Sequence, residues 1–133
     1  MATLRCLTVI FLLLPLGAWA DCEPGAGQTT AEGRTIKILF RTEPAPIKVG
    51  ELFALHASVC VKSGVLLVRG FKVDASMPDH RHGMNYQPSV LRRGEREFVA
   101  NGLMFHMPGR WQLVFDVDTA NGRERVLYDH LID

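Results

Sequence analysis

The sequence predicts an all-β fold, a sandwich of about seven short strands. Three observations lead to it. Runs of β-branched and aromatic residues recur at close spacing, separated by Pro, Gly and Asn. No window keeps a helical period. Asn121-Gly122, set between two alternating runs, is the strongest two-residue hairpin signal in the chain.

Taken in order, Asp21 to Gly33 is rich in Gly, Thr, Pro and Glu without an apolar period, and is expected to be a flexible leader. The domain then runs over residues 34–133. Ile36, Ile38 and Phe40 alternate with Lys37, Leu39 and Arg41 in a first strand, which Pro44 and Pro46 end. Leu52 to Val61 follows the Val49-Gly50-Glu51 turn. Its core face is Phe53, Leu55, Ala57, Val59 and Val61; Leu52, Ala54, His56, Ser58 and Cys60 point the other way. Val65 to Ala75 is a third strand and delivers the chain into an irregular segment punctuated by Pro78, Gly83 and Pro88. Glu97 to Met107 is read as one strand, with Phe98, Ala100, Gly102, Met104 and His106 on one face and Val99, Leu103, Phe105 and Met107 on the other. After Pro108-Gly109, Trp111, Leu113, Phe115 and Val117 alternate with Gln112, Val114, Asp116 and Asp118. The Asn121-Gly122 turn leads to a last strand, Arg123 to Ile132. Strand number and turn spacing fit an immunoglobulin-like sandwich.

The N-terminus carries a different signal. Arg5 is a positive n-region, Leu7 to Leu14 is apolar except for Thr8, and Ala18-Trp19-Ala20 offers a small-x-small cleavage site. Residues 1–20 are therefore read as a secretory signal peptide. The apolar stretch falls short of the roughly 20 residues of a spanning helix, so no membrane span is expected after cleavage, and the protein is expected to be periplasmic or secreted. Cleavage after residue 20 of 133 leaves 113 residues, the size of one domain with one core. It removes one basic residue of the 15 and leaves 14 against 14 acidic ones, so no basic surface for nucleic acid is indicated. Cys22 and Cys60 remain, in a compartment that permits disulfides. They either bridge, closing a loop worth ~3–4 kcal/mol on the chain-entropy estimate, or leave a buried Cys60 thiol and a loose Cys22.

The chemistry-bearing residues fall in two knots. Met77, His80, His82 and Met84 lie within eight positions, and Met104, His106 and Met107 follow about twenty residues later. In an extended backbone His80, His82 and Met84 project to one side, where a single metal could collect them. Soft thioethers favour Cu(I), and imidazole accepts copper in either oxidation state, so the mixture points to copper with Cu(I) favoured. Zinc, which prefers His with carboxylate or thiolate, is a lesser candidate through Asp79. Against ligation stands the ordinary use of Met as core filler and of a loop His as a hydrogen-bonding residue. His56 and His130 are read as structural or surface residues.

Catalysis is not expected. The chain has no Gly-x-Ser-x-Gly elbow, P-loop, dinucleotide fingerprint or haem-attachment motif. His56 and Cys60 share a strand face, but at about 3.3 Å per residue they would stand roughly 13 Å apart, too far for a nucleophile and its base.

Three segments, Val49-Gly50-Glu51-Leu52-Phe53, Asp74 to Met84 with its Met-Pro-x-His-x-His-Gly-Met element, and Gly102 to Trp111 with its Met-Pro-Gly-x-Trp element, together resemble the YtkA-like domain, related to FixH-type proteins. The likeness covers about residues 44–131. It implies an immunoglobulin-like sandwich outside the cytoplasmic membrane. FixH-type members are associated with copper supply to, or assembly of, terminal oxidases; this chain departs from them in showing no convincing membrane anchor, so a direct role inside an oxidase assembly complex is not expected from the resemblance. The expectation is an exported copper carrier or sequestering protein that exchanges metal with a donor or acceptor in the cell envelope. The competing expectation is a metal-free structural or interaction module in which the two Met-Pro segments pack on each other.

Overall fold

The computed structural model describes residues 22–64 and 67–133. The expected signal peptide lies outside the described residues, as does position 65, where the third strand was expected to begin. Among the described residues nine strands form: β1 (Thr29–Glu32), β2 (Ile36–Glu43), β3 (Leu52–Val61), β4 (Val68–Met77), β5 (His82–Gly83), β6 (Ser89–Arg92), β7 (Glu97–Met104), β8 (Gly109–Thr119) and β9 (Gly122–Ile132). They make two antiparallel sheets, one ordered β1-β2-β3-β7-β6 and the other β5-β4-β8-β9. The expected all-β sandwich is the observed architecture. No helix among the described residues is long and apolar enough to cross a membrane.

The core lies between the sheets and is built from one face of each long strand. Phe53, Leu55, Ala57 and Val59 of β3 face Trp111, Leu113, Phe115 and Val117 of β8, with Phe71 and Val73 of β4 beside them. Aromatic rings bind the layers. Phe71 stacks on Phe98 with centroids 4.7 Å apart, and Phe40 meets Phe115 at 5.3 Å. Pairs in this geometry add about 0.5–1.5 kcal/mol beyond their area.

The extra strands come from segments with too few apolar residues to register as strands. β1 occupies part of the expected leader: Thr29–Glu32 pairs with Lys37–Phe40, and only Ala31 of its four residues is buried. β6 hydrogen-bonds to the outer edge of β7 and buries no residue fully. Such short edge strands are held by backbone pairing, which leaves no hydrophobic period to read.

The seventh strand departs from the expected single run of Glu97 to Met107. Phe53 pairs with Leu103 and Ala54 with Asn101, so Gly102 is an extra residue, at φ +86°. A bulge of this kind re-aims every side chain beyond it. Phe98 and Ala100 point into the core before the bulge, and Leu103 and Phe105 after it. Met104 and His106, expected on the face of Phe98 and Ala100, fall on the other side. The strand also ends at Met104 instead of Met107, leaving residues 105–108 as a connection to β8. The β8–β9 hairpin forms as expected, displaced by one residue: Thr119 pairs with Gly122, so Ala120-Asn121 is the loop and Gly122, at φ +113°, opens β9.

Candidate metal site at the β4–β5 end

The first knot of ligand-type residues is shaped by a tight hairpin. Met77 pairs with His82 and Ser76 with Gly83, so residues 78–81 form the loop. The backbone N–H groups of His80 and Arg81 both donate to the Met77 carbonyl, at 3.1 and 2.8 Å, and Arg81 takes φ +59° to close the turn. Beyond β5 the Met84 N–H donates to the Ala75 carbonyl at 3.1 Å. The loop is also fastened from outside. Arg110 of β8 holds Asp79 in a two-pronged pair, Nε to Oδ2 at 3.2 Å and Nη2 to Oδ1 at 2.8 Å, and reaches Asp129 of β9 with Nη1 at 3.2 Å. Gln112 donates to the other Asp129 oxygen at 2.9 Å.

This hydrogen bonding to Arg110 holds the Asp79 carboxyl below the usual carboxylate range. The sign follows: a group whose pKa is depressed by folding contributes stability above its unfolded pKa and loses it as pH falls through the folded one. Acidification below the ordinary Asp range is therefore expected to release the 78–81 turn. Asp79→Asn should lower the hydrogen-exchange protection factors of the His80 and Arg81 amides at neutral pH, with little change in global stability, because exposed pairs are worth little.

The second knot arrives on the 105–108 connection. Phe105 stacks on Trp111 with centroids 4.7 Å apart, and the Trp111 indole Nε1–H donates to the Met107 carbonyl at 3.0 Å. Trp111 is wholly buried. Over its edge lie two imidazoles, His106 at 5.2 Å and His82 at 5.9 Å between centroids, both nearly perpendicular to the indole. His82 and His106 stand 5.1 Å apart, and His80 follows at 5.8 Å from His82. The three histidines picked from sequence in two separate segments thus form one row. Their exposure grades along it: His80 is exposed, His82 and His106 half-buried. His82 Nδ1 lies 3.2 Å from the Gly83 carbonyl, which favours the tautomer with Nε2 as the free lone pair. His106 Nδ1 is buried and has no hydrogen-bond partner.

The methionines divide. Met77 is 1% exposed and belongs to the core, with its Cε only 2.8 Å from where a Cβ on Gly109 would stand. Met84 and Met107 are half-buried and pack against the core from its margin. Met104 is half-buried on β7, paired with Leu52. The structure therefore gathers the histidines and puts Met77 into the packing. Among the described residues no three His, Cys, Asp or Glu side chains are arranged to hold a metal ion by themselves.

The other histidines are placed as expected. His56 Nε2 is 3.2 Å from Glu43 Oε2 on the outward face of the larger sheet. His130 lies near Phe105 and Tyr128, and burial pushes its pKa down. Sequence reading missed Trp111 as a member of the site, and Arg110 as the residue that anchors the loop. Both sit in the Gly109-Arg110-Trp111 run directly after the second knot, a proximity that was available to read. Comparison with protein-family models, curated proteins and solved structures finds no match to this chain.

Proposed function

We propose that the protein is an exported copper-binding protein that carries or sequesters Cu(I) at the row formed by His80, His82 and His106. The observation that carries this reading is the buried, unpartnered Nδ1 of His106 beside a second imidazole. A buried polar atom without a partner costs about 1–3 kcal/mol, and a bound cation would offset that cost. Neutral imidazoles suit copper, and Cu(I) accepts small ligand sets that thioethers can complete. Met84 and Met107, at the margin of the core, are the candidates for that part; Met104 is the next. Met77, filling the core, is left out of the ligand set. The grading of exposure from His80 inward suits handover to or from another envelope protein, since the outer ligand can be exchanged first. The signal-peptide character of residues 1–20 supports a periplasmic or secreted location.

A second reading has its own support. The Met77–His82 pairing and the edge-on contacts of His82 and His106 with Trp111 would equally close the end of the sandwich in a metal-free interaction module.

Titration of the purified full chain with Cu(I), in competition with a chromogenic chelator, separates the two. On the copper reading the wild type binds stoichiometrically. His106→Ala and His82→Ala/Met84→Ala then each lose more than the ~10–100-fold typical of merely supporting residues, with melting temperatures little changed. Equal, weak binding by wild type and variants, with a marked drop in melting temperature, would establish the packing module instead.

A further inference from the structure

We propose that Cys22 and Cys60 are oxidised to a disulfide that fastens the segment ahead of β1 onto the outward face of β3. Val59 of β3 faces the core, so Cys60 faces away from it, beside Lys37 of β2. Cys60 is nonetheless only 1% exposed, while standing outside the main core cluster. Leu39, next along β2 on that same outward side, is buried to a similar degree and is also outside the cluster. Something covers this face locally, and Cys22 is part of it: its thiol is hydrogen-bonded to that of Cys60. Both cysteines line a cavity of about 360 Å³, together with Ser58 and the Gly94–Glu97 turn.

The chain on either side of β1 and β3 is fastened at several points. Lys62 Nζ donates to the Gly33 carbonyl at 2.6 Å and pairs with Glu32 at 2.8 Å, tying the end of β1 to the end of β3. Thr35 and Arg34 donate to the Glu124 carboxylate on β9. The segment from Cys22 to β1 is short and closes on itself through the Gln28 N–H to Gly25 carbonyl bond at 3.1 Å. Cys22 is thereby kept on a short tether from the fastened end of β1.

The chemistry is thiol–disulfide exchange with a disulfide donor. The half-buried Cys22, as thiolate, attacks one sulfur of the donor, whose S–S bond breaks and whose other sulfur leaves as a thiolate and takes up a proton. Cys60 then attacks Cys22 Sγ, gives its proton to solvent, and expels the second donor thiol. Two protein thiols are oxidised and one donor disulfide is reduced. The order is set by the surroundings. Burial, then the hydrogen bond and charge of Cys22, push the Cys60 thiol up to about 12, so it is a poor first nucleophile. Once Cys22 is in the mixed disulfide its charge is gone, while Lys37 and Arg96, which favour the Cys60 thiolate, remain.

The test uses the full chain carrying Cys6→Ser, so that only this pair can react, treated with oxidised glutathione. The expected product has lost two hydrogens by intact mass and yields a Cys22–Cys60 cross-linked peptide on digestion without reductant. Its melting temperature should rise by roughly 10 °C or more, a gain that Cys22→Ser abolishes. A stable glutathione adduct on Cys22 without the cross-link, or cross-links only between copies of the chain, would overturn the proposal. So would a cross-link that forms and leaves the melting temperature unmoved, since the pair would then fasten nothing.

Discussion

Trp111→Ala is expected to unfold most of the protein at moderate temperature. Trp111 is 0% exposed, stacks on Phe105, and donates its indole N–H to the Met107 carbonyl. Truncation removes the largest fully buried side chain among the described residues. It leaves a cavity, and it orphans a carbonyl at the margin of the core. Large-to-small changes of this type cost about 3–5 kcal/mol, a large share of the 5–15 kcal/mol that holds a typical domain together. For a domain of this size the melting temperature should fall by roughly 12–40 °C, taking about 4–8 °C per kcal/mol. Trp111→Phe keeps the stacked ring and loses the hydrogen bond, so it should fall by much less. In that milder variant the His82–His106 row loses part of its edge-on contact with the indole, and on the proposed copper reading Cu(I) binding should weaken while the fold persists. A Trp111→Ala protein with near-native melting would mean that the 105–108 connection is held by something other than this ring.

How much of this was readable beforehand depends on what each element buries. The long strands were legible because β3, β8 and, from Phe71 onward, β4 alternate inward and outward, and that period is the sandwich itself. β1 and β6 were not, since four-residue edges paired through their backbones carry almost no apolar signal. The bulge at Gly102 was the costliest omission. A single inserted residue swapped the faces of Leu103, Met104, Phe105 and His106, so the expectation that Met104 shares a face with Phe98 failed although both lie in one strand. The glycine itself was the available sign, as an isolated Gly within a strand pattern often marks such a kink. His80, His82 and His106 were named from composition and spacing, and they meet because the Met77–His82 hairpin and the Pro108-Gly109 turn leave the sandwich at the same end. The alternation of Phe71, Val73 and Ala75 was the available sign that Met77 turns inward, whereas no one-dimensional pattern could say that His82, its pairing partner, stays at the rim.

Met77 gives the second large effect, and its value lies in separating packing from ligation. Its thioether is 1% exposed at the end of β4, against Gly109, whose φ of +124° and missing side chain leave room for it. Met77→Ala empties that space and should destabilise the protein by about 2–5 kcal/mol. Met77→Leu keeps the volume and loses only sulfur, so stability should change by less than about 1.5 kcal/mol. The filling of the gap and the supply of a donor atom are thereby uncoupled. If Met77 serves the core alone, the leucine variant binds Cu(I) as tightly as the wild type, measured by the same chelator competition. A leucine variant that melts normally but binds Cu(I) more than tenfold more weakly would put the sulfur of Met77 in the metal site. The hairpin would then have to open around residues 78–81 when copper enters, which the Asp79–Arg110 pair now holds closed.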